Sequence, residues 1–534
     1  MTGMPPTAVA PSPRAVAQER AERIRARLVR PMPADAWWGW GLPLLIAGVA
    51  ALMRFWRITR PGAKVFDEAY YPHDAWNLLH HGVELDSNSG DRSPGFVVHP
   101  PLGKWMIAVG EWIWGDNPLG WRFSAAVVGS LAVLMIARIA RRMFRSTALG
   151  CVAGLLLAFE ALEFVQSRVS MLDIFLMFWV LAAFGCLVLD RDDGRRRLAA
   201  TLDRPGALAG RGPSLGWRPW RWACGVCLGA AMATKWDGIF WLPAFLVLAL
   251  VWDWGARRTA GCDQPWLGML RRDALGAVLP FLVVPVIVYT ASWTGWFVSD
   301  GAHAYGHDRY THPGESWFSH GRNVLGGWLR YHWEIYNFHS GLDAAHPYLS
   351  RPYGWLLLAR PVAYYYGTPT GCGSDSCSQE VLGIGNPAIW WMAIPALVAV
   401  GWRLVSRFDW RAAAVLVAFL AGYLPWFYED HEHRTMFLFY VLPSVPFMVL
   451  ALTMAIGMVL DSRASVRTDV RRIVGAAVVG LYLIAVIANF AYLRPVLSGE
   501  VITYQQWHSR MWFEWGCSHE KHRNEHHELA PCWI

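Results

Sequence analysis

Long apolar runs constrain this chain more than any other feature. Runs of about 17–25 apolar residues can cross the hydrocarbon core of a bilayer as helices. We place about eleven such runs along the chain, near 37–56, 122–143, 147–166, 170–189, 219–236, 239–255, 274–293, 387–405, 410–428, 436–459 and 473–492. The sequence therefore predicts an all-α polytopic membrane protein.

Composition supports this class and argues against others. The chain is 54% hydrophobic and 16% charged, whereas soluble domains carry about a quarter charged residues. Its 33 tryptophans fit a membrane protein because Trp favours the membrane–water interface. The net charge of +8 comes largely from arginines between the apolar runs. We find no nucleic-acid motif and no internal repeat, so we do not expect a nucleic-acid partner.

The arginines also predict the orientation of the chain. Alternate connections are rich in Arg, and such connections usually lie on the cytoplasmic side. They contain "RRMFRS", "DRDDGRRR", "DWGARR", "RLVSRFDWR" and "DSRASVRTDVRR". This pattern predicts an inner N-terminus with a disordered cytoplasmic tail over 1–36, and an outer C-terminus. Residues 57–121 and 294–386 become external loops, and "HPPLGKWMIAVGEWIWG" an interfacial helix of the first loop.

Cysteine positions agree with this orientation. Cys372 and Cys377 lie in the second external loop, in "GCGSDSCSQ", where oxidation is permitted, so we expect a disulfide-closed turn. Cys517 and Cys532 lie in an external Cys/His-rich tail, 511–534, and could also pair. The histidine spacing of this tail matches no zinc motif, so we predict no metal site.

Ionisable residues collect on the predicted outer side of the membrane. Such residues at a membrane edge are costly and are usually functional. The group comprises Asp67, Glu68, His73, Asp74, His99, Lys104, Arg122, Arg168, Asp173, Lys235, Asp237 and Arg434. Their convergence predicts one externally facing site between spans.

Several of these residues have simpler interpretations. Arg168 and Asp173 could form an ion pair between helices, and Lys235 could extend to the interface as long basic side chains do. The Asp67–Glu68 pair could cap a loop helix, since acids favour the first turn.

The basic residues indicate phosphate recognition, because Arg and Lys pair with phosphate oxygens. No P-loop or dinucleotide-binding motif is present, so a lipid phosphate is the better candidate. A hydroxyl that attacks the sugar of such a lipid must lose its proton, and a carboxylate can accept it. Neighbouring helical residues point about 100° apart. Asp67 and Glu68 therefore cannot flank one bond, and we expect one base and one residue that positions ligands.

The segments that carry these residues resemble a known family. They are "FDEAYY", "HPPLGKW", "SRVSMLD", "TKWDGIF", "HPYLSRPYGW" and "LPWFYEDHEHRTMFLFYVLP". In this order they resemble the protein O-mannosyltransferases, and more closely the actinobacterial members that use polyprenyl-phosphate mannose. The resemblance runs from about residue 40 to 510 and implies a GT-C membrane domain over 37–510. The external loop 294–386 is too short for the β-trefoil domain of eukaryotic relatives.

The resemblance also implies an activity and roles. The family transfers mannose from a lipid phosphate to Ser or Thr of exported proteins, with inversion, which places this chain in the plasma membrane with its site outside. Asp67 matches the base, Glu68 its partner and Arg168 a required basic residue. Expected contacts with the lipid phosphate, the sugar or the acceptor are Arg168, His99, Lys104, Asp173, Lys235, Asp237, His346, Arg351 and Arg434, of which Lys235 and Arg434 are our own assignment to phosphate.

The expected partners are the lipid-linked donor, Ser/Thr-rich secreted acceptors and membrane lipids, with the export translocon as a further candidate. Polyprenyl-phosphate mannose is the expected donor, no cofactor is implied, and a need for divalent metal stays open. Two alternatives also stay open. A transporter of lipid-linked sugar would favour midplane charges and repeated halves, which we do not find. A GT-C transferase could instead use a glycolipid or polysaccharide acceptor.

Overall fold

The computed structural model describes residues 13–86, 95–299, 314–460, 468–513 and 533. Its helices are α1 Pro13–Leu28, α2 Ala36–Phe55, α3 Tyr71–His81, α4 Leu102–Trp114, α5 Pro118–Phe144, α6 Thr147–Ala158, α7 Ala161–Gln166, α8 Leu172–Ala199, α9 Pro219–Thr234, α10 Trp241–Ala260, α11 Pro265–Gly268, α12 Leu275–Val278, α13 Val284–Ser292, α14 Thr294–Val298, α15 Trp317–Ser340, α16 Pro352–Trp355, α17 Pro387–Arg407, α18 Trp410–Tyr423, α19 Pro425–His431, α20 Val445–Leu460, α21 Thr468–Leu497 and α22 Tyr504–His508. Short 3-10 helices cover Phe66–Ala69, Trp236–Phe240 and Leu438–Ser444, and π-helical turns cover Met269–Ala274 and Leu279–Val283.

Within the described residues, nine helical stretches are long and apolar enough to cross a membrane. They confirm the predicted class of polytopic helical membrane protein. The two remaining predicted spans coincide with the shorter helices α6 and α9, which have 12 and 16 residues. The orientation of the termini stays a prediction.

Helix α8 is the centre of the bundle. It packs against α5, α9 and α10, and its apolar side chains are buried around much of the helix surface. Helix α20 is also largely buried. By contrast, α2 and α21 expose apolar side chains such as Leu52 and Leu481, as helices in contact with lipid do. The candidate site lies at the N-terminal end of α8.

The predicted third span is interrupted. The sequence pattern predicts one run over 147–166, but α6 ends at Ala158 and α7 begins at Ala161. The reason is Glu160, whose carboxylate accepts hydrogen bonds from the N–H groups of Leu162 and Glu163 and caps α7. The same carboxylate accepts a bond from the indole of Trp390, which ties the break to α17.

The N-terminal tail differs from the prediction over its second half. Residues 1–36 were expected to be disordered, yet α1 forms from strong helix formers in "AVAQERAERIRARL". Leu28 is buried with Leu198, Ala256 and Cys262, which belong to α8, α10 and the turn after α10. Composition suggested mobility because the tail is rich in Pro, Ala and Arg, whereas the burial of Leu28 joins α1 to the helical bundle.

A small sheet was not predicted. Strands β1 Val362–Gly367, β2 Cys377–Gly383 and β3 Val501–Thr503 form an antiparallel sheet in that order. The sulfurs of Cys372 and Cys377 are bonded at the turn between β1 and β2, with their Cα atoms 5.8 Å apart. Because β3 follows α21, the sheet joins the second loop to the last span. Cys517 and Cys532 lie outside the described residues.

Candidate functional site

Asp67 lies on a constrained turn. The preceding residue, Phe66, has a φ of 47°, a left-handed conformation that costs an L-residue roughly 1–2 kcal/mol. Aromatic packing maintains this conformation, because the Phe66 ring lies 5.3 Å from Tyr364, 5.6 Å from Phe437 and 5.8 Å from Phe439 between ring centroids. The neighbours of Asp67 therefore fix the direction of its side chain.

Glu68 anchors the other side of this turn. Arg122 donates to both carboxylate oxygens, from Nε at 2.8 Å and from a terminal nitrogen at 2.7 Å, and both side chains are fully buried. The N–H groups of Ser170 and Val65 donate to the same two oxygens. These contacts occupy the carboxylate, so the geometry does not fit the predicted catalytic role for Glu68. The residue holds Asp67 in place instead.

Asp67 has few partners. Its carboxylate accepts one long hydrogen bond of 3.3 Å from the hydroxyl of Tyr71, and the side chain is partly exposed. Burial raises the pKa of Asp67 to about 6, the nearby Lys235 ammonium opposes the rise, and the Asp173 carboxylate adds to it. Asp67 is thus ionised near neutral pH but binds a proton more readily than an ordinary aspartate.

Lys235 is held between two acids. Its ammonium lies 3.0 Å from Asp173 and 3.7 Å from Asp237, and its nitrogen is 4.3 Å from the centroid of the Tyr440 ring. Lys235 lies at this position because α9 ends at Thr234 and a 3-10 turn follows. Lys235 is only 5% exposed, so it does not extend to the interface. Asp173 pairs with Lys235 and not with Arg168, contrary to the simpler interpretation.

Arg168 does not face this group. Its guanidinium donates to the carbonyls of Met53, Arg54, Trp56 and Arg57, at 2.6–3.3 Å. Met53 and Arg54 lie in the last turn of α2, where carbonyls have no intrahelical donor, and Trp56 and Arg57 follow that turn. The predicted contact of Arg168 with a phosphate is therefore replaced by a structural one.

Arg434 approaches the same space from the segment after α19. It donates to Glu429 at 3.1 Å and to the ring of His339 at 3.4 Å. Its buried Nε has no hydrogen-bond acceptor among the described residues. The His339 ring stacks on His99 with centroids 5.1 Å apart. Lys235 and Arg434 both act electrostatically on His99, and burial together with these cations lowers its pKa well below the usual range.

Two family models and several named relatives match most of this chain. A family model described as dolichyl-phosphate-mannose-protein mannosyltransferase matches residues 44–294. Another, the C-terminal four TMM region of protein-O-mannosyltransferase, matches residues 324–515. A polyprenol-phosphate-mannose--protein mannosyltransferase of Mycolicibacterium smegmatis is 42% identical over 90% of this chain and 93% of its own length. The chain belongs to the protein O-mannosyltransferase family.

Other relatives agree with this assignment. The polyprenol-phosphate-mannose--protein mannosyltransferase of Mycobacterium tuberculosis is 40% identical over 90% of this chain and 92% of its own. The solved structure of the S. cerevisiae Pmt1-Pmt2 complex bound to the sugar donor has a TM-score of 0.68 and covers 95% of each chain at 15% identity. That likeness concerns the fold and confirms the expected GT-C architecture. The matching family model and the named relatives show that this protein O-mannosyltransferase is a glycosyltransferase.

The remaining predicted site residues of the mannosyltransferase, Lys104, Arg351 and His346, have partners of their own within the protein. Lys104 lies 3.1 Å from Asp74 and 2.7 Å from Glu84 and is almost completely buried, so it fastens α3 to α4. Arg351 pairs with Asp430 at 2.6 Å.

The Arg351–Asp430 ion pair lies in the wall of a cleft beside Arg434. Its lining residues are Asp343, Leu349, Ser350, Arg351, Asp430, His433, Arg434 and Met436. His346 packs edge-on against Phe437, with 4.9 Å between centroids, and also contacts Phe66. Arg351 and His346 therefore lie beside the site around Asp67, whereas Lys104 joins the helices that border it.

Sequence reasoning missed two residues of the site. Tyr71 lies in the quoted "FDEAYY" motif, but nothing in the motif distinguishes its hydroxyl from that of Tyr70. His339 belongs to no quoted motif and reaches the site only because α15 folds back over the first loop. Within the described ranges, no group of three or more His, Cys, Asp or Glu could hold a metal ion.

Proposed function

We propose that this enzyme transfers mannose from polyprenyl-phosphate mannose to Ser or Thr hydroxyls of exported proteins, at the outer face of the plasma membrane, with Asp67 as general base. One observation carries the proposal. The Asp67 carboxylate has a single long hydrogen bond among the described residues and lies near the Lys235 ammonium, and both groups share the surroundings of Tyr440 with Arg434 at one end of the helical bundle. A base beside cations is what a displacement at a sugar phosphate requires.

Lys235 and Arg434 have donors that can bind the phosphate of the lipid donor. The Nε of Arg434 is a buried donor with no acceptor among the described residues, and a phosphate oxygen is a strong acceptor for guanidinium. The Lys235 ammonium has three hydrogens, and Asp173 and Asp237 account for two of its contacts. Both cations would stabilise the negative charge that develops as the phosphate leaves.

Asp67 can take the proton of the acceptor hydroxyl. In the proposed step, the acceptor hydroxyl oxygen attacks the anomeric carbon and its proton passes to the Asp67 carboxylate. The bond between that carbon and the phosphate oxygen breaks, and its electron pair leaves with the lipid phosphate. A pKa of about 6 gives a carboxylate that is ionised at neutral pH yet more basic than usual, which favours general base catalysis. A single displacement of this kind inverts the sugar.

The acceptor would approach through the cleft beside Arg434. Arg351 and Asp430 lie in its wall and are hydrogen-bonded to each other, so an acceptor that enters this small cleft would have to exchange these contacts. The outer location is supported by the Arg-rich connections at the opposite ends of the spans. Lipid-linked donor and acceptor would then meet outside the membrane.

A reconstituted transfer assay tests this function. Purified protein in proteoliposomes is incubated with polyprenyl-phosphate mannose and a Thr-rich peptide, and mannosyl-peptide is measured by mass spectrometry. We expect product with that peptide, none with its Thr→Ala counterpart, and none when a nucleotide-linked mannose replaces the lipid donor. Mannose found only on lipid or polysaccharide would contradict the protein acceptor, and transport without transfer would contradict the reaction.

A further inference from the structure

We infer that His339 is a positioning residue for this reaction, which rests on the proposed function. Its imidazole connects the second external loop, the first external loop and Arg434. The ring nitrogen Nε2 lies 2.9 Å from the carbonyl of Val98. A carbonyl can only accept, so Nε2 carries the hydrogen and Nδ1 is left as an acceptor. Arg434 donates to that Nδ1 at 3.4 Å.

This arrangement functions only with a neutral ring. A proton on Nδ1 would remove the acceptor and direct an N–H at the Arg434 guanidinium. The charged and titratable groups that face His339 are Arg434, Lys235, Asp237 and His99. Only one of the four is an acid, and burial lowers the pKa of His339. The surroundings therefore keep the imidazole neutral and its tautomer fixed.

The position of His339 is set by a separate part of α15. Two to three turns earlier, Trp328, Tyr331 and His332 pack into an aromatic cluster with Tyr289 and Trp293. The cluster holds the helix, and the last turn presents His339 to Val98 and Arg434. Thus the second external loop determines where the guanidinium lies, although His339 is assigned no contact with donor or acceptor.

Donor affinity should therefore depend on His339 through Arg434. We expect His339→Ala to raise the KM for polyprenyl-phosphate mannose about tenfold, the range for loss of a hydrogen bond to a charged group. The KM for the acceptor peptide and kcat should change less. His339→Gln should restore most of the donor affinity, since its neutral amide can both donate to Val98 and accept from Arg434.

His332 provides the matched control. It lies on the same helix and its ring nitrogens contact the Tyr289 hydroxyl at 2.7 Å and the Trp328 carbonyl at 2.8 Å, but it has no contact with Arg434. His332→Ala should lower the melting temperature while leaving donor KM within about threefold of wild type. A rise in donor KM as large as that of His339→Ala would assign the effect to helix packing and overturn the inference.

A double-mutant cycle gives the sharpest result. We compare wild type, His339→Ala, Arg434→Gln and the double variant in the proteoliposome assay. If His339 acts through Arg434, adding His339→Ala to Arg434→Gln changes donor KM by less than about twofold. Equal effects in both backgrounds, or an unchanged KM for His339→Ala, would overturn the inference. An inactive wild type would instead contradict the proposed function.

Discussion

Helix α8 carries buried aspartates at its start and beyond its middle. Asp173 lies at its start, beside Lys235 in the candidate site, and Asp190 lies 17 positions later, about 26 Å along the helix at 1.5 Å per residue. Both residues belong to buried groups of acids and bases. The two groups differ in how completely their members are paired.

The group around Asp190 is fully paired. Asp190 accepts hydrogen bonds from Arg218 and Arg221, and the same two arginines donate to Asp253 on α10. All four side chains are less than 10% exposed, and none contributes a buried, unpartnered nitrogen or oxygen within the described part of the chain. We call these four residues the anchor network. It joins α8, α9 and α10.

The group around Asp173 is incompletely paired. Asp67 has one bond of 3.3 Å to Tyr71, and Arg434 has a buried Nε without an acceptor among the residues that the structure describes. Buried charges are costly unless they are paired, so structural groups are expected to resemble the anchor network. Incomplete pairing next to strained backbone at Phe66 distinguishes this group from the anchor network and fits our proposal that a ligand supplies the missing contacts.

Breaking the Glu68–Arg122 pair should have the largest effect on stability. Glu68→Gln leaves a buried guanidinium without its counter-charge, which typically costs about 3–5 kcal/mol. We expect a strongly lowered melting temperature in detergent and loss of transfer, because the turn that carries Asp67 is released. Glu19→Gln, which breaks an exposed pair with Arg23, is the control and should change neither. A stable, active Glu68→Gln enzyme would refute the anchoring role.

Breaking the anchor network should affect stability alone. Asp253→Asn removes the charge shared by Arg218 and Arg221, and we expect a loss of roughly 3 kcal/mol. Transfer per folded molecule should stay within about twofold of wild type, since removing a pair far from the reacting atoms leaves the barrier unchanged. A drop of tenfold or more in kcat/KM at full folding would show that the network also serves catalysis.

The pH dependence of transfer should report Asp67. With a pKa of about 6 in the free enzyme, the base is ionised above that pH and protonated below it. We expect kcat/KM to be level above about pH 6 and to fall about tenfold per unit below it. The measurement is the initial rate at low donor concentration across pH 4.5–8.5, a range about the cited pKa. If kcat/KM begins to fall only near pH 4, the base is a carboxylate with an ordinary pKa, which contradicts this prediction.

Sequence patterns predicted the fold and most of the residues that the structure brings together around Asp67, but not the contacts that each of them makes. The apolar runs predicted the helices because membrane spans require length and apolarity, which are local properties. Asp67 and Glu68 are adjacent acids that no local rule distinguishes. Their roles differ because Arg122, 54 positions from Glu68, reaches only one of them.

Long-range contacts also explain the other errors. Arg168 looked free to bind phosphate because its carbonyl acceptors lie more than 110 positions earlier in the chain. His339 contacts Val98 across 241 positions, and nothing in the pattern of α15 indicates that contact. By contrast, the acidic pair, Lys235 and Arg434 could be grouped from sequence because each lies at the predicted outer end of a span.

The most direct test of the account is mannosyl transfer by Asp67→Asn. The substitution is nearly isosteric and removes only the base. Folding should not suffer, because a carboxyl whose pKa is raised from 3.8 to about 6 in the folded protein loses its contribution to stability as pH rises through that window. At pH 7.5 an uncharged Asn avoids that loss, so the melting temperature should be equal or higher. We predict unchanged donor binding and a transfer rate about a hundredfold to ten-thousandfold lower. Transfer within a few-fold of wild type, at equal protein level, would contradict Asp67 as the base.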